Sequence, residues 1–468
     1  MLVAAMSTNA QITSNDHINM AEQDLMGTSR YVAMGGAMAA VGGDASAASD
    51  NPAGLGVYRR NELMLTLDYQ IDKPTTGNLT TKVSCGQASW NFCFMKDRMR
   101  GVVGNNVMLN YRRIKNFRRE RTVSCANMDY SLTDVIALKT NGLAEQYLQG
   151  DKAWYDSEVG WLSKMGYEGY LIDPDSTGAN QWHATNMSAV DGMLKIQESG
   201  SVDEFSFTWG MNISNQWYVG AELGVRSLSY LKSSFYQERF ANGDSYTLDS
   251  YVNSSGVGFI SKLGFMCRPT SYLRLGVALH APVPMAFSLH NYGELRTKGA
   301  RSVFIESVDN NDSPKTFVQP MHAIFGTAFQ LGTYGLISVQ YDYQHDFAKG
   351  IHDTHWVKVG AEGVVANNWF FNLGYALKVR QLNEAGTLSD PIRAIPHNSV
   401  RLDTEFNNLQ HAHYLSAGVS FRHKYVVVGA AYQCRLMIEN IHLHELQATP
   451  TEFATTTHKL VFSIAGRY

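Results

Sequence analysis

Long stretches of this chain alternate apolar residues with polar residues or glycines, and that alternation constrains its fold more than any other feature. Leu63, Leu65, Leu67, Tyr69 and Ile71 alternate with Met64, Thr66, Asp68 and Gln70. Ile337, Val339, Tyr341 and Tyr343 do the same against Ser338, Gln340, Asp342 and Gln344. So do Val357, Val359 and Ala361 against Lys358, Gly360 and Glu362. The pattern returns in 219–226, where Glu222 and Arg226 fall on the polar face, and in 415–422, which ends on Arg422. Successive side chains of a strand point to opposite faces, so each segment has one apolar and one polar-or-glycine face.

A soluble β-sandwich also alternates, so segment length and connection order must decide. Fourteen segments qualify: 62–71, 81–95, 101–114, 202–213, 217–230, 255–267, 271–288, 317–331, 334–345, 353–364, 368–379, 411–422, 425–438 and 456–467. Most exceed the roughly five or six residues of an average soluble strand and reach the roughly 9–11 needed to cross a bilayer at a tilt. Short connections at 96–100, 214–216, 268–270, 332–333, 366–368 and 423–424 alternate with longer ones. An even-numbered meander with short turns on one side and long loops on the other is the pattern of an outer-membrane barrel. The last strand agrees: Leu460, Phe462, Ile464 and the terminal Tyr468 share a face opposite Lys459, Val461, Ser463 and Arg467. No run of about 18 apolar residues is present to make a membrane helix. The 40 Gly, 24 Tyr, 21 Phe and 8 Trp fit a barrel. A net charge of −3 without clustered Lys and Arg gives no nucleic-acid footprint.

The expected architecture is therefore all-β: a 14-stranded antiparallel transmembrane β-barrel in the outer membrane of a Gram-negative bacterium, surrounded by membrane lipids. Lipid cannot satisfy backbone N–H and C=O groups, so the sheet must close. A lumen that wide needs more than wall side chains to fill it. Residues 11–56 are the candidate filler, an N-terminal plug (hatch) rich in Ala, Gly, Met and Asp with no strand alternation. Residues 57–468 form the barrel, with a long outer loop over 115–201. Residues 1–10 read as the end of a signal peptide, cleaved after Ala10.

Within the plug, "RYVAMGGAMAAVGGDASAASDNPAGL" resembles the N-terminal hatch motif of the FadL/TodX family of outer-membrane transporters for hydrophobic compounds. Met34, Gly35 and Gly36, then Asp44, then Asn51, Pro52, Ala53 and Gly54 carry the match. Asn51-Pro52 makes a rigid turn, and the glycines after it let the chain swing into the wall. The resemblance implies a 14-stranded barrel with the N-terminal segment folded into the lumen, and a ligand released sideways through a kinked third strand. In this chain Gly104, Asn105 and Asn106 interrupt the third strand and are the candidate lateral gate; an ordinary bulge would read the same way.

In the 115–201 loop, Trp154, Trp161, Leu162 and Met165 are expected to share a helical face, with Asp151 as N-cap and Gly166 as stop. That face is a candidate outer hydrophobic surface for a greasy ligand, and equally could pack on its own loop or on a partner protein. Its position departs from the family, where the landing site is expected on the next loops along.

No nucleophile elbow, P-loop, zinc motif or other catalytic constellation occurs, so no enzyme, metal or cofactor is implied. His411/His413 and His442/His444 read as solvated residues near loop ends. Of the five cysteines (85, 93, 125, 267 and 434), Cys85 and Cys93 share strand parity and are expected on one interior face. Two functions remain: passive uptake of a hydrophobic small molecule (fatty-acid-like or aromatic), or a non-enzymatic barrel subunit of a secretion or assembly complex that binds another outer-membrane protein.

Overall fold

The computed structural model describes residues 14–96, 100–175, 180–186, 190–298, 301–306, 315–347, 353–366, 368–380, 398–447 and 449–468. The expected signal-peptide remnant lies outside them.

Fourteen antiparallel strands form the wall. They are β1 Glu62–Pro74, β2 Thr80–Met95, β3 Val102–Asn116 continued as Arg119–Met128, β4 Val190–Ile213, β5 Trp217–Phe240, β6 Ser245–Cys267 and β7 Leu273–His280 continued as Val283–Thr297. Then come β8 Lys315–Gln319 continued as Met321–Leu331, β9 Gly335–His345, β10 Thr354–Val365, β11 Trp369–Arg380, β12 Phe406–Arg422, β13 Val426–His442 and β14 Thr451–Arg467. Each pairs with its sequence neighbour, and β14 pairs with β1 from Arg467↔Glu62 to Thr455↔Pro74, which closes the barrel.

Burial follows the alternation. Leu65, Leu67, Leu223, Val339 and Phe462 are exposed on the outside, while Thr66, Asp68, Glu222, Gln340 and Lys459 are buried inside. Only a bilayer makes such a surface stable, because water would leave the apolar face unburied. Aromatics mark the short-turn edge of this face. Trp90, Trp217 and Trp369 are exposed there, and Trp90 Nε1 donates to the Tyr468 hydroxyl at 2.6 Å.

The strands overrun the expected limits on the long-loop side. β4, β5 and β6 are 24, 24 and 23 residues long. Arg119–Met128 pairs with the first part of β4, so ladder enters the expected 115–201 loop from both ends. The cause is continued alternation: Leu194 and Ile196 are buried inward, while Lys195 and Gln197 between them are more exposed.

The parity of Cys85 and Cys93 is corrected by a bulge. The β1–β2 register shifts at Gly86, placing Cys85 opposite outward-facing Leu67 and Asn91 opposite inward-facing Glu62. Cys93 therefore faces inward and Cys85 outward. All five cysteines are free thiols.

Candidate functional site

The N-terminal segment threads the inside of this wall. It comprises α1 Ser14–Ala21, α2 Ser29–Ala33, α3 Ala45–Asp50 and a 3-10 turn, Pro52–Val57. Its residue types explain its shape. Thr28 caps α2, accepting from Tyr31 N–H, and Asp44 caps α3, accepting from Ser46 N–H at 2.9 Å. The other Asp44 oxygen accepts from the Thr28 hydroxyl at 2.7 Å, tying the two caps together. Gly35 and Gly36 turn the chain at φ +61° and +74°. Asn51 Oδ1 accepts from Ala53 N–H, while its amide donates to Ala39 O at 2.8 Å and to the wall carbonyl of Phe265 at 3.3 Å.

Wall glycines admit the segment. A Cβ on Gly374 would lie 2.1 Å from Gly35 N, and one on Gly220 would lie 2.3 Å from the Pro52 carbonyl carbon. Gly264 and Gly276 meet the backbone of Ala53 and Ala39 in the same way. Backbone thus lies directly on backbone, which any side chain at these wall positions would prevent.

Charge fixes the register. Four of the segment's acids reach bases, three of them on the wall and the fourth, Asp16, on the loop ahead of β12. Asp50 accepts from Arg112 Nη1 at 2.9 Å and from the Tyr31 hydroxyl; Asp24 meets Arg435 at 2.7 Å. Glu22 bridges Lys115 at 2.8 Å and Lys378 at 2.6 Å, and Asp16 pairs with Arg401. Arg30 runs the other way, onto Glu362 of β10 at 2.6 Å. Wall charges also pair among themselves, as Lys262 does with Glu222 at 2.8 Å and Lys358 with Asp342 at 2.5 Å. Burying charges is tolerable only when each is matched and hydrogen-bonded. Asp50 thus meets the wall, whereas Asp44 acts as a cap. Glu22, Asp24 and their partners escaped the sequence reading, because nothing in the spacing of Lys115, Lys378 and Arg435 marks three strands that converge only in the closed barrel.

Toward the long loops the interior changes character. Val202, Leu228, Tyr230, Val252, Ile260, Met285 and Phe287 of the wall join one apolar cluster with α4 Leu132–Thr140 and α5 Trp161–Glu168. Trp161, Leu162 and Met165 are buried in it and Trp154 packs against it. These four residues therefore face their own loop rather than solvent. The helix differs from expectation too. Asp151 opens a separate 3-10 turn, α5 is capped by Gly160, and the helix runs through Gly166 to Gly169. Gly166 is an approach point: a Cβ there would lie 2.5 Å from Ile136 Cγ2 of α4.

The solvated reading of the histidines also changes. His442 and His444 are buried, and burial pushes the His444 imidazole down to about 4. His413 Nδ1 lies 2.8 Å from the Tyr375 hydroxyl on the outer face. Among the described residues, no group of three or more His, Cys, Asp or Glu side chains is placed to hold a metal ion.

The wall is interrupted in one informative place. The β2–β3 ladder runs from Met95↔Gly104 only to Gln87↔Arg112, leaving residues 80–86 of β2 without a ladder partner on β3. Here β3 carries an extra residue: its register to β4 passes from Arg113↔Asp203 directly to Lys115↔Val202, skipping Ile114. The bulged Ile114 is buried in the apolar cluster with Phe117, and its carbonyl accepts from Asp24 N–H of the segment at 3.1 Å. The outer rim carries an Arg113–Asp203 pair at 2.8 Å with the Tyr111 hydroxyl on the same carboxylate. Just outside the last rung, Ala88, Leu109, Tyr111 and Phe205 line an apolar groove of about 360 Å³. Gly104, Asn105 and Asn106 lie nearer the short turns and are paired to both β2 and β4. Asn106 faces inward and donates to Leu55 O at 2.7 Å and Tyr58 O at 3.0 Å, anchoring the end of the segment. The β3–β4 register does shift beside them, skipping Val103, so the bulge is present there, but the β2–β3 ladder is lost only beyond Gln87↔Arg112, near Ile114.

Solved structures share this fold. A FadL homologue from Pseudomonas aeruginosa superposes with a TM-score of 0.52 at 12% identity, covering 95% of this chain and 99% of the other. The Pseudomonas putida toluene transporter TodX gives 0.50 at 11%, covering 95% and 99%. The Ralstonia pickettii toluene transporter TbuX gives 0.50 at 13%, again covering 95% and 99%. This chain has the FadL/TodX fold. No family model and no curated protein matches the sequence. What carries the FadL/TodX fold here is the complete 14-strand meander, because so few residues are shared.

Proposed function

We propose that this protein is an outer-membrane channel for passive uptake of a hydrophobic small molecule, fatty-acid-like or aromatic. One observation carries the reading: the apolar cluster under the long loops continues without a break to Ile114 and Phe117 at the interruption in the wall, with an apolar groove outside it. The long loops face the exterior and the short turns the periplasm. Ligand enters among the loop helices, moves through side-chain rearrangement in the apolar half, and leaves sideways past Ile114 into the membrane. The N-terminal segment acts as a plug that bars water and ions from the short-turn half. The chemistry asked of the protein is solvation alone, so no catalytic group is needed. The likeness of fold to toluene transporters supports this reading.

Deleting Ile114 joins Arg113 to Lys115 in the register that already flanks them and lets β3 pair on with β2. Cells carrying the deletion should lose most uptake of a labelled hydrophobic probe, while the barrel still migrates as a folded, heat-modifiable species. Undiminished uptake would overturn the lateral route. If a stoichiometric partner protein also remained bound in native mass spectrometry, the chain would be a subunit of an assembly.

A further inference from the structure

The short-turn mouth of the barrel departs from the charge matching seen above it. A cavity of about 430 Å³ opens there beneath the segment, and Arg30, Arg59, Arg60, Arg274, Arg422 and Arg467 all line it. Glu362 is the acid in the same lining, and Arg30 holds it bidentately through its Nε and Nη2 at 2.6 and 2.8 Å. Arg467 is held by Glu62 at 2.6 Å. The other four have no carboxylate partner among the described residues. Arg274 donates to Val41 O at 2.9 Å, Arg60 to Lys424 O at 2.9 Å and Arg59 to Asn215 Oδ1 at 3.2 Å. Arg422 stacks on Phe370, 4.3 Å from the ring centroid.

Two of these side chains are unfinished. The Nε–H groups of Arg274 and Arg422 are buried with no hydrogen-bond acceptor. A buried donor left unmade is destabilising, and guanidinium groups sharing a cavity repel one another. An oxyanion in the cavity lowers that repulsion, since its charge offsets theirs and its oxygens accept from planar N–H forks. The cavity also has an apolar side, made by Val41, Val57, Val364 and Phe370. Its volume is in the range of small-molecule sites.

We propose that this mouth is a binding site for an amphipathic oxyanion, its phosphate or carboxylate head among the arginines that lack a carboxylate partner and its apolar portion along Val57, Val364 and Phe370. Arg59 and Arg60, exposed at the rim, draw anions in from the periplasmic side. The site is separate from the route past Ile114 and needs no transport to operate.

Binding of dodecyl phosphate to the full chain in a neutral maltoside detergent tests it by calorimetry, with inorganic phosphate as competitor. The wild type should bind saturably, and Arg274→Gln/Arg422→Gln should weaken binding by about ten-fold or more. Arg296→Gln, at the exposed long-loop end, should leave it unchanged. Should the double Gln variant fail to fold, Arg274→Lys/Arg422→Lys keeps the charge and loses the fork, and should still bind more weakly than wild type. Competition by inorganic phosphate identifies the head as the recognised part; equal affinity for phosphate alone makes a free anion the occupant. No saturable binding, or equal binding by the folded variants, overturns the proposal. Uptake is read in cells and this binding on the purified barrel, so either reading can fail without the other.

Discussion

Near the short turns, the barrel interior is filled by backbone lying on wall glycines and by matched ions such as Asp50–Arg112 and Arg30–Glu362. Near the long loops, Leu194, Leu228, Val252 and Phe287 pack on α4 and α5, beside buried ion pairs such as Arg121–Glu198 and Lys232–Asp403. Ion pairs are directional, and each works only with its own partner in one register. Apolar packing is non-directional, and cores tolerate rearranged side chains if volume is kept. A barrel that must stay sealed yet let a greasy molecule through needs both properties, and here apolar packing is concentrated toward the long loops while matched ions occur at both heights.

That division can be broken from either side. The largest effect is expected from Arg112→Met, which leaves the Asp50 carboxylate buried without its cation. Such a loss costs roughly 3–5 kcal/mol, read as a lower unfolding midpoint in urea, and should free residues 26–50 to hydrogen exchange while α4 and α5 stay protected. Next comes Leu194→Ala in the apolar half. A cavity there should cost about 2–4 kcal/mol and raise exchange in α4 and α5 while the ion-paired segment stays protected. Equal responses of both halves to either change would show that they are one cooperative unit. The smallest effect is in pH. The buried His444 has its folded-state value lowered from 6.5 to about 4. The stability it contributes is present above the unfolded value and lost as pH falls through that window, up to about 3 kcal/mol. The loop half should therefore loosen between pH 6.5 and 4, as read by tryptophan fluorescence, and His444→Phe should flatten the profile.

The two halves also differed in how much of them the sequence displayed. Alternation located all fourteen strands, because a wall with lipid on one side must keep a strict period of two. It undershot β4–β6, where the outer face is polar as well and the apolar residues mark only the interior. The "MGG" and "DNPAG" strings were legible because tight turns demand particular residues at Gly35, Gly36 and Asn51. The segment's partners were not, since Arg435 and Lys378 carry no local mark of what they will face. The interruption at Ile114 left one trace: Ile114 and Lys115 are adjacent yet both buried, which a regular strand forbids. That trace shows only once the facing of Arg112 is known. In the loop, Gly166 looked like a helix stop because stops favour glycine, whereas here it lets two helices touch.

The glycines beneath the N-terminal segment bear on the order in which the molecule can be built. That segment precedes every strand in the sequence, yet the positions that receive it, from Gly220 on β5 to Gly374 on β11, come much later. It cannot settle until most of the sheet is present, and the β14–β1 seam joins the last strand made to the first. Closure and docking are thereby coupled: a wall that sealed early would shut out its own filling, and an unsealed wall has nothing curved enough to hold it.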